Sequence, residues 1–124
     1  MEDLRRDFVN EEIVKFQVEG REFAYKPTTA GEENEWMNEY IKIVDDKMVP
    51  DLSQLNKCKF RNLVGVPYEP QIIQEVLHLT MLTPWENLDY QQKWEFIGKL
   101  HSALFDKIVK AIRDIDSPVK KKID

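Results

Sequence analysis

A long amphipathic stripe near the C-terminus places the strongest constraint on the fold of this 124-residue chain. Its side chains recur at alternating spacings of four and three between Leu88 and Ile115, which places them on one face of a helix. The stripe consists of Tyr90, Trp94, Ile97, His101, Leu104, Ile108, Ala111 and Ile115, widened by Leu100, Phe105 and Ile112. The sequence therefore predicts one long helix that covers a globular core, with a dimerising coiled coil as the alternative.

The N-terminal part of the chain has a period of two residues instead. Apolar and polar side chains alternate on both sides of Glu19-Gly20, which is typical of a two-residue hairpin turn. A turn there places Phe16 opposite Phe23 and Val14 opposite Tyr25, so the two strands share one apolar face. Because two strands are only marginally stable in water, this face must pack on the helices or extend a larger sheet, for which a neighbouring copy could supply the missing strands.

A capping box predicts the first helix after this hairpin. Thr29 and Glu32 have the required spacing, because the hydroxyl accepts from the third helical N–H while the carboxylate reaches back to the cap. The apolar residues that follow at helical spacing are Trp36, Met37, Tyr40, Ile41, Val44 and Met48. We therefore expect a helix that runs from residue 30 toward Met48.

Further helix-start signals divide the rest of the chain into several helices. Asp51 or Ser53 can cap a second helix, and Pro70 begins a third. A turn at Thr83-Pro84 precedes Asp89, which can cap the long C-terminal helix. The apolar positions assigned to the second helix are Leu52, Leu55, Cys58, Phe60, Leu63 and Val64.

Together these patterns predict a mainly α fold of the α+β type. It consists of an N-terminal β-hairpin followed by four or five helices, with one long C-terminal amphipathic helix. We expect a weakly ordered arm at residues 1–12 and a single globular domain at residues 13–116, with the hairpin at 13–26 and the helices at 30–115. We also expect residues 117–124 to form a disordered basic tail, because a proline blocks the helix and three lysines follow.

Composition narrows the classes of function. The net charge of −5 disfavours nucleic acid as a partner, and no apolar run resembles a signal peptide or a membrane helix, so we expect a cytoplasmic protein. Cys58 is the only cysteine, which excludes a disulfide framework, and we interpret it as a structural thiol although Lys57 and Lys59 flank it. His101 lies in the apolar stripe and is interpreted as a hydrogen-bonded core histidine.

No motif predicts catalysis. The sequence contains no glycine-rich phosphate loop, zinc signature, nucleophile elbow or calcium loop. We therefore predict no catalytic residue, no cofactor and no metal site, and we expect that the protein is not an enzyme. An enzyme with Cys58 as its nucleophile is a third hypothesis, which would require a histidine base close to the thiol.

One resemblance adds a specific expectation. The segment Phe16-Gln-Val-Glu-Gly-Arg-Glu-Phe-Ala-Tyr-Lys-Pro27, the helix start Thr28-Thr-Ala-Gly-Glu-Glu33 and the turn Thr83-Pro-Trp-Glu-Asn-Leu88 resemble the tail assembly chaperones of long-tailed bacteriophages and prophages. The resemblance covers residues 13 to about 115. It implies a small, mostly helical fold that self-associates, coats the tape measure protein and recruits tail tube subunits in the host cytoplasm without catalysis.

The functional hypothesis is therefore a non-enzymatic assembly or scaffolding protein. Its predicted partners are the tape measure and tail tube proteins together with further copies of the chain, and neither nucleic acid nor a membrane. The alternatives are a structural virion component, such as a head-to-tail connector subunit, and a generic helical protein-interaction domain. The aromatic residues predicted to contact a partner are Phe16, Phe23, Tyr25, Trp36, Tyr40, Trp85 and Trp94.

Overall fold

The computed structural model describes residues 4–8 and 12–117, and this part of the chain is α+β with five strands and five α-helices. In chain order the elements are β1 (Val14–Val18), β2 (Arg21–Tyr25), α1 (Ala30–Tyr40), β3 (Ile41–Val44), β4 (Lys47–Pro50), α2 (Leu52–Lys59), β5 (Leu63–Gly65), α3 (Pro70–Leu77), α4 (Tyr90–Ile97) and α5 (Ser102–Asp116). Short 3₁₀ turns lie at Leu4–Asp7, Phe60–Asn62 and Trp85–Asn87. The prediction of a mainly α fold was wrong, because three strands were missed.

The predicted N-terminal hairpin is confirmed together with its register. Phe16 lies opposite Phe23 and Val14 opposite Tyr25, while Glu19 and Gly20 form the turn with positive φ angles. Strand β5 pairs antiparallel with the free side of β2, so the hairpin belongs to a three-stranded sheet of order β1-β2-β5. The chain itself supplies the third strand that the hairpin required.

The long C-terminal helix is the clearest error. The stripe is divided between α4 and α5, and residues 98–101 form a tight turn between them. Gly98 ends α4, and the next two N–H groups bond three residues back, from Lys99 to Phe96 and from Leu100 to Ile97, which tightens the chain out of the α-helix. Glycine is one of the weakest helix formers, so a continuous period did not produce a continuous helix.

The first predicted helix is also shorter than expected. α1 ends at Tyr40, and Ile41 and Val44 belong to strand β3, whereas Met48 belongs to β4. These two strands pair only with each other in the described part of the chain. In the predicted second helix, α2 stops at Lys59, and Leu63 and Val64 instead form β5.

The predicted helix caps are confirmed at the starts of α1 and α4, where the side chain and the backbone bond each other reciprocally. The side chain of Thr29 accepts from the N–H of Glu32, whose carboxylate accepts from the N–H of Thr29. Asp89 forms the same reciprocal pair with Gln92 at the start of α4. Asp51 rather than Ser53 caps α2, and Pro70 is the first residue of α3.

The described chain has two hydrophobic clusters of unequal size. The larger fills the space between the three-stranded sheet, α3, α4 and α5 and includes Phe23, Tyr25, Ile97 and Ile108. The smaller lies under α1 and α2 and consists of Trp36, Tyr40 and Cys58 with Ile41 and Leu55 against them. The expected basic tail lies outside the described residues after Ser117, and so do residues 1–3 and 9–11 of the expected arm.

Candidate interaction surface

The β3–β4 hairpin has one face made entirely of apolar side chains. Asp45 and Asp46 both have positive φ angles, 52° and 64°, as a type I′ two-residue turn requires. Residues directly opposite each other share a face, so the register from Val44–Lys47 to Ile41–Pro50 defines two faces. The Ile43 face consists of Ile41, Ile43, Met48 and Pro50, and the Lys42 face consists of Lys42, Val44, Lys47 and Val49.

Most of the Ile43 face is open to solvent. Ile43 is 76% exposed and Met48 is 72% exposed, and only Ile41 at the base is partly covered. Large apolar side chains rarely stay so open when they are neighbours on one ordered surface, unless a partner covers them. The Ile43 face is therefore the candidate functional site of this chain.

The base of the hairpin is firmly anchored, although two strands alone are marginally stable. Ile41 packs on the smaller cluster, and the backbone N–H of Asp51 donates to the carbonyl of Tyr40 at 2.6 Å. The Lys42 ammonium lies 2.9 Å from the carboxylate of Asp51 and holds the pKa of that carboxyl below its usual value. The projecting end is thus held in place by its attachment to α1 and α2.

The aromatic residues predicted to bind a partner lie elsewhere and are mostly covered. Five of them are buried in the two clusters, namely Phe23, Tyr25, Trp36, Tyr40 and Trp85. Phe16 and Trp94 are half-buried: Phe16 stacks on Phe23 with centroids 5.7 Å apart, and Trp94 packs against Phe60 at 5.6 Å. In the free chain they contribute to packing, and contact with a partner stays a prediction for all seven.

A buried polar cluster holds the end of α5 against the rest of the fold. The carboxylate of Asp116 accepts from the hydroxyl of Tyr25 at 2.8 Å, the backbone N–H of Thr28 at 2.8 Å and the ammonium of Lys59 at 2.6 Å. Burial raises the pKa of Tyr25 far above its usual value, so the phenol stays protonated and donates. Both oxygens of this carboxylate accept hydrogen bonds, so we interpret the cluster as structural.

Lys93 is a nearly buried lysine, and only 9% of it is exposed. Its ammonium lies 5.5 Å from the ring centroid of Trp85 and 5.8 Å from that of Tyr90, while Arg61 covers Tyr90 at 5.3 Å. Burial lowers the pKa of Lys93 below its usual value. The aromatic rings supply part of the stabilisation that the ammonium loses on leaving water.

An open groove of about 310 Å³ runs between β1 and α5. Its walls carry charges of both signs, with Glu19 paired to Lys107 and Lys110 paired to Asp114. Because these charges neutralise one another across and along the groove, it has no net electrostatic preference for a ligand.

Cys58 and His101 were the two residues considered as possible reactive side chains, and the structure shows the position of each. Cys58 is fully buried, and burial raises the pKa of its thiol, so the flanking lysines do not produce a reactive thiolate. His101 is exposed at the start of α5, and the expectation of a core histidine was wrong. Among residues 4–8 and 12–117, no group of three or more potential ligands could hold a metal ion, and no helix is long and apolar enough to cross a membrane.

Comparison of this chain with models of protein families, with curated proteins and with solved structures found no match.

The Ile43 face was not predicted from the sequence, because its residues fit the period of a helix as well as that of a strand. Ile41, Val44 and Met48 are spaced for a helix, but the same segment also alternates as a strand on each side of Asp45-Asp46. The available signal was the pair of aspartates, which tolerate positive φ angles, directly after a run rich in β-branched residues. Pro50 was a second signal, since it ends a strand as readily as a helix.

Proposed function

We propose that this chain is a non-enzymatic assembly protein that binds another protein through the Ile43 face. The observation that carries the proposal is an anchored hairpin that presents Ile43 and Met48 to water at 76% and 72% exposure. Full burial of an aliphatic side chain of this size is worth about 1.5–3 kcal/mol, so a partner that covers both side chains gains substantial binding free energy.

The chemistry of the hairpin indicates the kind of partner. The Ile43 face is uncharged, while charges lie at the tip, on Asp45 and Asp46, and on the opposite face, on Lys42 and Lys47. An apolar centre with a charged rim fits the apolar stripe of an amphipathic helix. In the specific form that the resemblance implies, the helical partner is a tape measure protein and the recruited subunit is a tail tube protein.

The test is co-purification after co-expression of the tagged chain with the products of the genes adjacent to its own. The variant Ile43→Ser/Met48→Ser removes the two most exposed side chains of the Ile43 face. We expect this variant to fold normally, because neither residue is buried, and to lose a helical partner that the original chain retains. Gel analysis with mass spectrometry identifies the retained protein, and circular dichroism checks folding.

A matched control separates this face from general surface hydrophobicity. Met81 and Leu82 are 68% and 53% exposed in the loop after α3, so Met81→Ser/Leu82→Ser removes similar apolar area at another site. This control should retain the partner. Equal retention by both variants, or equal loss, would contradict a specific role of the Ile43 face.

A further inference from the structure

Lys93 is a buried cation without a counterion. It is only 9% exposed, and in the described part of the chain its ammonium forms neither a hydrogen bond nor an ion pair. Asp116, which is buried to a similar degree, pairs with Lys59 at 2.6 Å. A lysine ammonium has three N–H donors, so all three donors of Lys93 are left unused by the described residues.

The tip of this side chain nevertheless reaches solvent. Among residues 4–8 and 12–117, the hydroxyl of Tyr68 is the one fully enclosed side-chain polar atom without a hydrogen bond. The ammonium of Lys93 has no hydrogen bond either and is not fully enclosed, so one side of it is open. The stem is covered while the donors can be reached from outside, which is the arrangement of a small binding site.

Two aromatic rings fix the position of the ammonium. Helical side chains lean toward the N-terminus of their helix, so Lys93, the fourth residue of α4, reaches back over the first turn. Its Nζ atom lies 5.5 Å from the ring centroid of Trp85 and 5.8 Å from that of Tyr90. The indole N–H of Trp85 donates in turn to the carbonyl of Leu63 at 2.8 Å, which fixes that ring.

The carboxylates near this site do not neutralise it. Glu39 accepts from Arg61 in a bidentate pair, at 2.9 and 2.5 Å, and Asp89 caps the start of α4. Burial lowers the pKa of Lys93, and the charge of Glu86 opposes this shift from a distance, without an ion pair. One buried positive charge is therefore left without a partner.

The chemistry of the site selects a carboxylate over other anions. A phosphate group carries about −1.5 to −2 charges at pH 7, more than one ammonium balances, whereas a carboxylate carries one. The guanidinium of Arg61, which could add a second cation, already binds Glu39. The ring of Tyr90 is 57% exposed beside the ammonium of Lys93, so it offers an apolar surface to the hydrocarbon part of a ligand.

We propose that the ammonium of Lys93 binds an organic carboxylate, with Trp85 and Tyr90 as the walls of the site. The carboxylate accepts N–H bonds from the open side of the ammonium, and such charge-assisted bonds are stronger than neutral ones. Binding also removes the cost of an unpaired buried charge, so the ligand should stabilise the fold. The site shares no residue with the Ile43 face and does not depend on the proposed function.

Fluorine spectroscopy tests the site directly in protein labelled with fluorotryptophan. When propionate replaces chloride at constant ionic strength and pH 7, the resonance of Trp85 should shift and saturate, while that of Trp36 in the smaller cluster should not move. Lys93→Met should lose this shift. Lys99→Met, which changes an exposed lysine, should retain it. The variants Trp36→Phe and Trp94→Phe assign the three signals.

Urea unfolding gives a second readout that needs no label. Propionate should raise the urea midpoint of the original chain and of Lys99→Met above the value in equal chloride, and leave that of Lys93→Met unchanged. The amide of N-acetylglutamate distinguishes two sources of the carboxylate. An effect equal to that of propionate would indicate a side chain of another protein, and an effect of propionate alone would indicate a small free acid.

Three results would overturn the carboxylate site. They are an unmoved Trp85 resonance when either probe replaces chloride, a shift of equal size in Lys93→Met, and equal midpoints in propionate and chloride. Circular dichroism checks that Lys93→Met is folded. Lys93→Gln removes the charge but keeps a polar side chain, and it should lose the same shift.

Discussion

Lys93 shows how a single side chain opposes the stability of the fold. Burial lowers its pKa, so the folded state releases this proton at a lower pH than the unfolded chain does. Between the folded pKa and 10.5, the ordinary pKa of a lysine, the unfolded chain binds more protons, and stability rises with pH. Below the folded pKa the full cost of the buried ammonium remains.

We therefore expect Lys93→Met to stabilise the protein at pH 7. Each unit by which the pKa is lowered corresponds to about 1.4 kcal/mol, and methionine keeps a favourable contact with the rings of Trp85 and Tyr90. The advantage over the original chain should shrink as the pH rises toward 10.5, because the original chain then folds with a neutral amine. Urea unfolding at pH 7 and pH 10 measures both effects.

The control for this prediction is Lys99→Met, which changes an exposed lysine in the turn after α4. It should alter the free energy of unfolding by no more than about 0.5 kcal/mol at either pH. A loss of stability in Lys93→Met at pH 7 would show that the cation–ring contacts outweigh the cost of burial.

Among the elements, α5 is attached at its C-terminal end through one residue, Asp116. Asp116 is only 8% exposed and is the partner of Lys59, which is 13% exposed, so its carboxylate joins α5 to α2 and to the end of β2. Replacing one member of a buried pair leaves the other charge uncompensated.

Asp116→Ala should accordingly lower the free energy of unfolding by about 3–5 kcal/mol. The exposed Asp114 on the same helix is the matched control, and Asp114→Ala should change stability by less than about 0.5 kcal/mol. Denaturant unfolding of the two variants gives the comparison. Similar small losses in both would mean that the Asp116 cluster contributes little to the attachment of α5.

The elements that could be predicted from the sequence are those with a local chemical cause. Reciprocal side-chain bonds identify the starts of α1 and α4 at Thr29 and Asp89, and the Glu19-Gly20 turn determines the register of the first hairpin. The break at Gly98 was missed because glycine permits a helix to end without requiring it. β3 and β4 were missed because the turn between them contains no glycine, and β5 was missed because it pairs with the distant strand β2.

At the scale of the whole molecule, the two hydrophobic clusters are joined by one short segment. Cys58 belongs to the smaller cluster, and Phe60, two residues later, belongs to the larger. Arg61 forms a bidentate pair with Glu39 on α1, at 2.9 and 2.5 Å, and Asn62 donates to Glu32 at 3.3 Å. α1 and the smaller cluster are thereby tied to the main core.

This arrangement predicts a single cooperative unfolding transition. Trp36 reports on the smaller cluster, whereas Trp85 reports on the larger. In a sample labelled with fluorotryptophan, the native fluorine resonances of Trp36, Trp85 and Trp94 should all disappear at the same urea concentration, with Trp36→Phe used to assign the first signal. Earlier loss of the Trp36 resonance would show that α1, α2 and the β3–β4 hairpin unfold as a separate unit.

Pro50 limits how far the exposed β3–β4 hairpin can pair with strands of other chains. An edge strand with an unbroken row of outward N–H and carbonyl groups is a template for aggregation. On β4 this row is interrupted because Pro50 has no N–H, and on β3 the N–H of Ile41 already donates to the carbonyl of Met37. The same proline that completes the apolar face thus shortens the pairing edge beside it, which protects a highly exposed hairpin from aggregation.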